Sequence, residues 1–188
     1  MKKIIISLIV FVLFYCICYT KDIVSSAIVT NIKQQALQGN IEAIRMLAGL
    51  YHDGKGVEKN HKEAFKWSLL GAERGDVVCQ RYTAIYYNSG QAGEKNADKA
   101  MYWSAKAAER GDEIALKLVM ALHVIHSKNN PKYLKMCVVW LYISSYLGDT
   151  EAEAYLDEIR KDVSEEEYQN AIQLAEMILK SIEKYSQN

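Results

Sequence analysis

The sequence predicts an all-α chain of stacked helical hairpins, and three observations carry that expectation. The string Ala-Glu-Arg-Gly-Asp stands at 72–76 and returns at 108–112. Glycines keep the same beat: Gly39, Gly75 and Gly111 are 36 apart, and Gly148 follows after 37. Composition suits helices, since one proline among 188 residues leaves few breaks and 50% apolar residues suffice for a core. A fixed period in this range marks an array of similar units, each burying its apolar face against the next.

The elements follow in order. Lys2 and Lys3 precede a run from Ile4 to Tyr19 that is uncharged and broken only by Ser7. The run is 16 residues long, short of the ~20 that span a bilayer. A basic start, an apolar stretch and a polar exit form the pattern of a secretory signal. Residues 1–20 are therefore expected to be removed, with cleavage after Cys18, Thr20 or Ala27. Tyr15 and Ile17 are poor neighbours for lipid attachment at Cys16 or Cys18, though a lipid anchor and an uncleaved anchor stay open as alternatives. The expected mature domain is 21–188, periplasmic or secreted, with no membrane span once the signal is gone. It keeps 21 basic against 23 acidic residues.

A helix over 23–38 is expected to close one end. The first unit, 40–75, opens with Ile41 to His52, where Ile44, Leu47, Ala48 and Tyr51 form an amphipathic stripe. Asp53-Gly-Lys-Gly56 breaks it, because glycine accepts the left-handed turn that ends a helix. A second helix runs from about Lys62 to Arg74, with Ala64, Phe65, Trp67, Ser68 and Ala72. Gly75 ends it and Asp76 caps the next helix. The pattern repeats over 76–111 with Trp103, and less regularly over 112–148 with Trp140. There Asn129-Asn-Pro131 replaces the glycine turn, with proline at a helical first turn. The segment 149–186 caps the other end: one helix to about Asp162, then a last helix opened by the capping box Ser164-Glu-Glu-Glu167.

The chemistry-bearing residues are sparse. A balance of 23 basic and 23 acidic residues leaves no footprint for nucleic acid. Phosphate-loop, His-Glu-x-x-His and Cys-x-x-Cys patterns are lacking after residue 20. His123 and His126 share one helix side and could hold a metal with a third ligand, but His123 stands where Tyr51 and Tyr87 stand, a packing place. No cofactor or metal is therefore assigned. Cys79 and Cys137 occupy small packing positions; buried thiols and a disulfide both fit an exported chain.

The unit Gly39 to Val57 followed by Ala64 to Gly75 resembles the Sel1-like repeat, a relative of the tetratricopeptide repeats. The resemblance spans about residues 36–150 and weakens in the third unit, where His123, His126 and Lys128 replace the expected tyrosine and glycine. It implies a right-handed α-α superhelix, a solenoid of about three hairpins with terminal capping helices. It also implies a non-enzymatic module that binds a protein. The family's penicillin-binding-like branch carries a cysteine pair in each unit, which this chain lacks.

In such arrays the place shared by Arg45, Arg81 and Lys117 faces the concave groove. Flanked by Glu42 and His52, these three cations form a candidate partner-binding ladder for acidic groups. Pairing with Glu42, Glu73 or Glu109 is the competing reading. The best-matching use is a periplasmic immunity protein that neutralises a type VI secretion effector such as a phospholipase. A periplasmic adaptor or regulatory scaffold is the alternative.

Overall fold

A computed structural model describes residues 27–186. The expected signal at 1–20, its cleavage places after Cys18 and Thr20 and the first residues of the 23–38 helix lie outside them. The described residues form α1 (27–37), α2 (Ile41–Asp53), α3 (His61–Glu73), α4 (Val77–Ser89), α5 (Ala97–Ala108), α6 (Glu113–Ser127), α7 (Leu134–Tyr146), α8 (Thr150–Ile159) and α9 (Glu165–Ser186). Short 3-10 turns at Pro131–Tyr133 and Arg160–Asp162 precede α7 and follow α8. No strand occurs among the described residues, so the expected all-α class holds. Two compact units divide the chain between Trp67 and Ser68, within α3.

The bend between repeats is built from two residues. Gly39, Gly75, Gly111 and Gly148 have φ of 91°, 87°, 86° and 96°. Side chains disfavour that left-handed region by roughly 1–2 kcal/mol, whereas glycine enters it freely. Around each glycine the ended helix has its last carbonyls satisfied: Gly75 N donates to Ala72 O and Asp76 N to Gly71 O, at 3.0 Å each. The next residue then starts a helix. Asn40, Asp76, Asp112 and Asp149 accept from the backbone N–H of Ala43, Cys79, Ala115 and Ala152. A side-chain oxygen here satisfies one of the four N–H groups a helix start leaves unpaired.

The bend inside the first two hairpins is built differently. Gly54 and Gly90 end α2 and α4 with φ of 76° and 72°, and Asn60 and Asn96 donate their backbone N–H to Tyr51 O and Tyr87 O at 2.9 Å. In the third hairpin no glycine is present, and Asn130 caps the Pro131 turn through Lys132 N at 3.0 Å. Proline lacks the N–H that such a first turn would leave unpaired.

In the first unit, Ala36, Ala43, Ile44, Leu47, Ala48, Ala64 and Trp67 are buried. The second unit centres on α7, where Cys137 through Leu141, Ile143 and Ser144 are all buried. Helices α6, α8 and α9 pack around α7. The last helix opens as its sequence predicts: Glu167 N donates to Ser164 Oγ, and Ser164 N to Glu167 Oε2, at 3.3 Å each. Its buried residues Ala171, Ala175, Leu179 and Ile182 form one stripe at helical spacing. No helix among the described residues is long and apolar enough to cross a membrane.

Two glycines give opposite expectations. A Cβ on Gly111 meets nothing within 4 Å, so Gly111→Ala costs only the left-handed backbone, roughly 1–2 kcal/mol. Gly49 lies inside α2 and also has nothing within 4 Å of a Cβ, so Gly49→Ala stabilises by about 0.5–1 kcal/mol. Urea unfolding midpoints should move down for the first and up for the second. Movement in the same direction would show that the backbone does not decide these sites.

Candidate functional site

The five sequence-predicted residues fall in both units. Glu42 and Arg45 lie in the first two turns of α2 and form an ion pair three residues apart. That contact is the local pairing anticipated as the competing reading. His52 lies in the last turn of α2, half-buried, with its ring edge-on to His61 at 5.9 Å. Burial pushes its pKa down; Asp53 opposes this, and the charges of His61 and Lys59 add to it. His52 therefore adds no positive charge to the surface at neutral pH.

Arg81 and Lys117 lie in the second unit and differ in environment. Arg81 Nη1 donates to Asp112 Oδ2 at 3.0 Å, and both side chains are largely buried. Asp112 is the cap of α6, and its Oδ1 accepts from Ala115 N at 2.9 Å. One carboxylate thus caps a helix and anchors the preceding repeat. The guanidinium also lies 5.7 Å from the centre of the Tyr82 ring. Lys117 is exposed.

A second tie runs the other way. Arg110, in the bend after α5, donates through Nη1 to the Gly75 carbonyl, the bend of the preceding repeat. Its guanidinium also lies 5.3 Å from the Tyr185 ring of α9. The sequence expectation contains neither the Arg81 contact of Asp112 nor the tie made by Arg110. Their shared 36-residue step from Asp76 and Arg74 was the available signal.

The two histidines of the third repeat take structural places. His123 is buried, and its Nδ1 donates to the Val119 carbonyl at 2.8 Å. His123 and His126 lie 6.3 and 5.6 Å from the Tyr133 ring. The Tyr133 hydroxyl donates to Asp98 at 2.8 Å and Lys132 reaches the same carboxylate at 3.3 Å, tying the turn before α7 to the start of α5. The Tyr133 hydrogen bond is the main cause that holds the Asp98 pKa down. No three His, Cys, Asp or Glu side chains among the described residues converge as metal ligands. Cys79 and Cys137 are buried thiols rather than a disulfide. Burial pushes the Cys137 thiol up to about 11, which keeps it protonated and unreactive at neutral pH.

The Sel1 repeat family matches residues 41–76 and 77–112. The chain is a Sel1-repeat protein. A crystal structure of a Sel1 repeat protein from Oxalobacter formigenes is 31% identical, with a TM-score of 0.55, over 68% of this chain and 52% of that one. A protective antigen present in uropathogenic Escherichia coli strains, which displays the same repeat fold, is 19% identical, with a TM-score of 0.52. That match covers 85% of this chain and 42% of the antigen, and is a likeness of fold. The Sel1-repeat chain thus spans about half the length of these solved relatives. No curated protein matches it. Sel1 repeats typically mediate protein–protein interaction, and their proteins are generally non-enzymatic scaffolds.

Two outcomes test the site's physics. Arg81→Ala removes a largely buried charge-assisted bond and should cost about 1–3 kcal/mol, while Arg45→Ala removes an exposed pair and should cost less than ~1 kcal/mol. Equal losses in denaturant titrations would deny Arg81 its tying role. Burial is the main cause lowering the His123 pKa, opposed by the Val119 hydrogen bond and aided by His126. The folded state then binds fewer protons than the unfolded chain, so stability is full above pH ~6.5 and falls as pH drops through the folded-state pKa. His123→Tyr should flatten that part of the curve; an unchanged slope between pH 5 and 7 assigns the dependence elsewhere.

Proposed function

We propose that the Sel1-repeat chain is an exported, non-enzymatic binding protein that neutralises a toxin-like enzyme in the periplasm. The observation that supports protein binding is the pair of matched repeats at 41–76 and 77–112, continued by a third hairpin of the same build. Repeat arrays present extended surfaces of this kind to partner proteins. Export rests on the basic start and apolar run at the N-terminus. Immunity against a type VI secretion effector, such as a phospholipase, rests on small size, export and family together. A dedicated inhibitor covering an active-site mouth needs a standard interface of ~1,200–2,000 Å².

Of the candidate ladder Glu42, Arg45, His52, Arg81 and Lys117, Glu42 pairs with Arg45 and Arg81 with Asp112 inside the chain, while Lys117 is exposed. An adaptor for envelope or signalling proteins is the second reading; it rests on the same surface and the same export signal.

The test is capture with a tagged full chain from envelope and secretion fractions, followed by assay of what is retained. A single stoichiometric hydrolase that loses activity on binding supports the immunity reading. An envelope receptor or assembly component would replace it with the adaptor. Recovery of the protein only from cytoplasmic fractions overturns both.

A further inference from the structure

The second and third repeats make different contacts at their far boundaries, and a cleft lies at the boundary of the third. In the second repeat, Arg81 reaches Asp112 Oδ2 at 3.0 Å and Arg110 reaches the Gly75 carbonyl. The counterparts in the third repeat are Lys117 for Arg81, Asp149 for Asp112 and Leu147 for Arg110. Leucine has no donor, so the tie made by Arg110 is lost. Lys117 makes no ion pair with Asp149 among the described residues. The space is an open cleft lined by Glu113, Leu116, Lys117, Ser144, Leu147 and Asp149.

The lining shows what would fill it. Asp149 caps α8 through Oδ1 alone, accepting from Glu151 N at 3.1 Å and Ala152 N at 3.2 Å. Its Oδ2, the counterpart of the oxygen that holds Arg81, has no hydrogen-bond partner among the described residues. The cleft's charged residues, Glu113, Lys117 and Asp149, sum to a negative charge. Lys117 makes no ion pair with Glu113 either among the described residues, so the two carboxylates of the cleft outnumber its single ammonium. The rim is apolar: Leu147 is 52% exposed and Tyr146 61%, where the second repeat has Glu109 and Arg110.

We propose that this cleft receives an arginine side chain of a protein partner, with an apolar neighbour of that arginine on Leu147 and Tyr146. The proposal rests on the protein-binding reading and names the chemistry of the contact. An arginine stem can lie along Leu116 and Leu147 while its planar head meets the Asp149 carboxylate, as Arg81 meets Asp112 one repeat earlier. A partner carboxylate would meet two like charges and one ammonium.

The experiment uses the purified full chain and two dye-labelled, end-blocked peptides, one bearing Leu-Arg-Leu and the other Leu-Glu-Leu, titrated by fluorescence anisotropy. The arginine peptide should bind at least tenfold more tightly. Asp149→Asn keeps a capping side chain but removes the charge. It should weaken the arginine peptide at least tenfold, with the helical circular dichroism unchanged. Lys117→Arg supplies an internal guanidinium, and should raise the unfolding midpoint while displacing the peptide. Tighter binding of the glutamate peptide, binding of neither peptide, or indifference to both substitutions overturns the proposal. If the captured partner of the wild-type chain is retained equally by Asp149→Asn, the cleft is excluded while protein binding stands.

Discussion

The structure depends on a chain reversal made in two residues. One residue must occupy a left-handed backbone, and the next must supply a side-chain oxygen to an emerging helix. Gly75-Asp76 and Gly111-Asp112 do this in the second unit, and Gly39-Asn40 does it in the first. With no slack at the bend, the phase of one helix is fixed by the phase of the one before. The packing places of α4 and α6 can then be served by matching residues, such as Cys79 and Ala115, each fully buried. A longer loop would release that coupling, and the period of the sequence would carry no structural meaning.

The capping aspartate has a second use, and this makes the bend a place where repeats are joined. A helix start concentrates unpaired N–H groups and favours a nearby carboxylate. The carboxylate has two oxygens and the cap consumes one. In Asp112 the other oxygen takes Arg81, so one residue both starts α6 and holds α4, the first helix of the preceding repeat, to it. Arg110 acts across the same boundary through a backbone carbonyl. The Arg81–Asp112 contact is largely desolvated, which explains why a cation at the Arg81 position serves packing before it serves a surface.

The sequence made the helices and bends legible because both are local. Proline placement, the glycine beat and the Ser164 capping box fix element boundaries within a residue or two. The pair Glu42–Arg45 was also legible, since three residues along a helix bring side chains together. Asp112 as the partner of Arg81 was not, because a 31-residue separation closes only through the packing of α4 against α6. The expected glutamates Glu73 and Glu109 share the right sign, but Arg81 turned to the cap instead. The burial of His123 and of both cysteines followed from their repeat positions. The cleft beside Leu147 did not, because a substitution at one repeat position reads as noise until the neighbouring repeat shows what it removed.

Helix α7 has a consequence for how the chain comes into being. Its residues Cys137 through Leu141, Ile143 and Ser144 are buried, leaving no broad polar side. Such a segment is shielded only when α6, α8 and α9 are all in place. During vectorial synthesis α6 emerges before it, but α8 and α9 emerge after it. Until they arrive, α7 is a sticky intermediate of the kind that chaperones hold. Helices α8 and α9 therefore complete the shielding of α7. A nascent chain that stops after Gly148 would present to the cell a degradation and aggregation signal rather than a shortened version of the same protein.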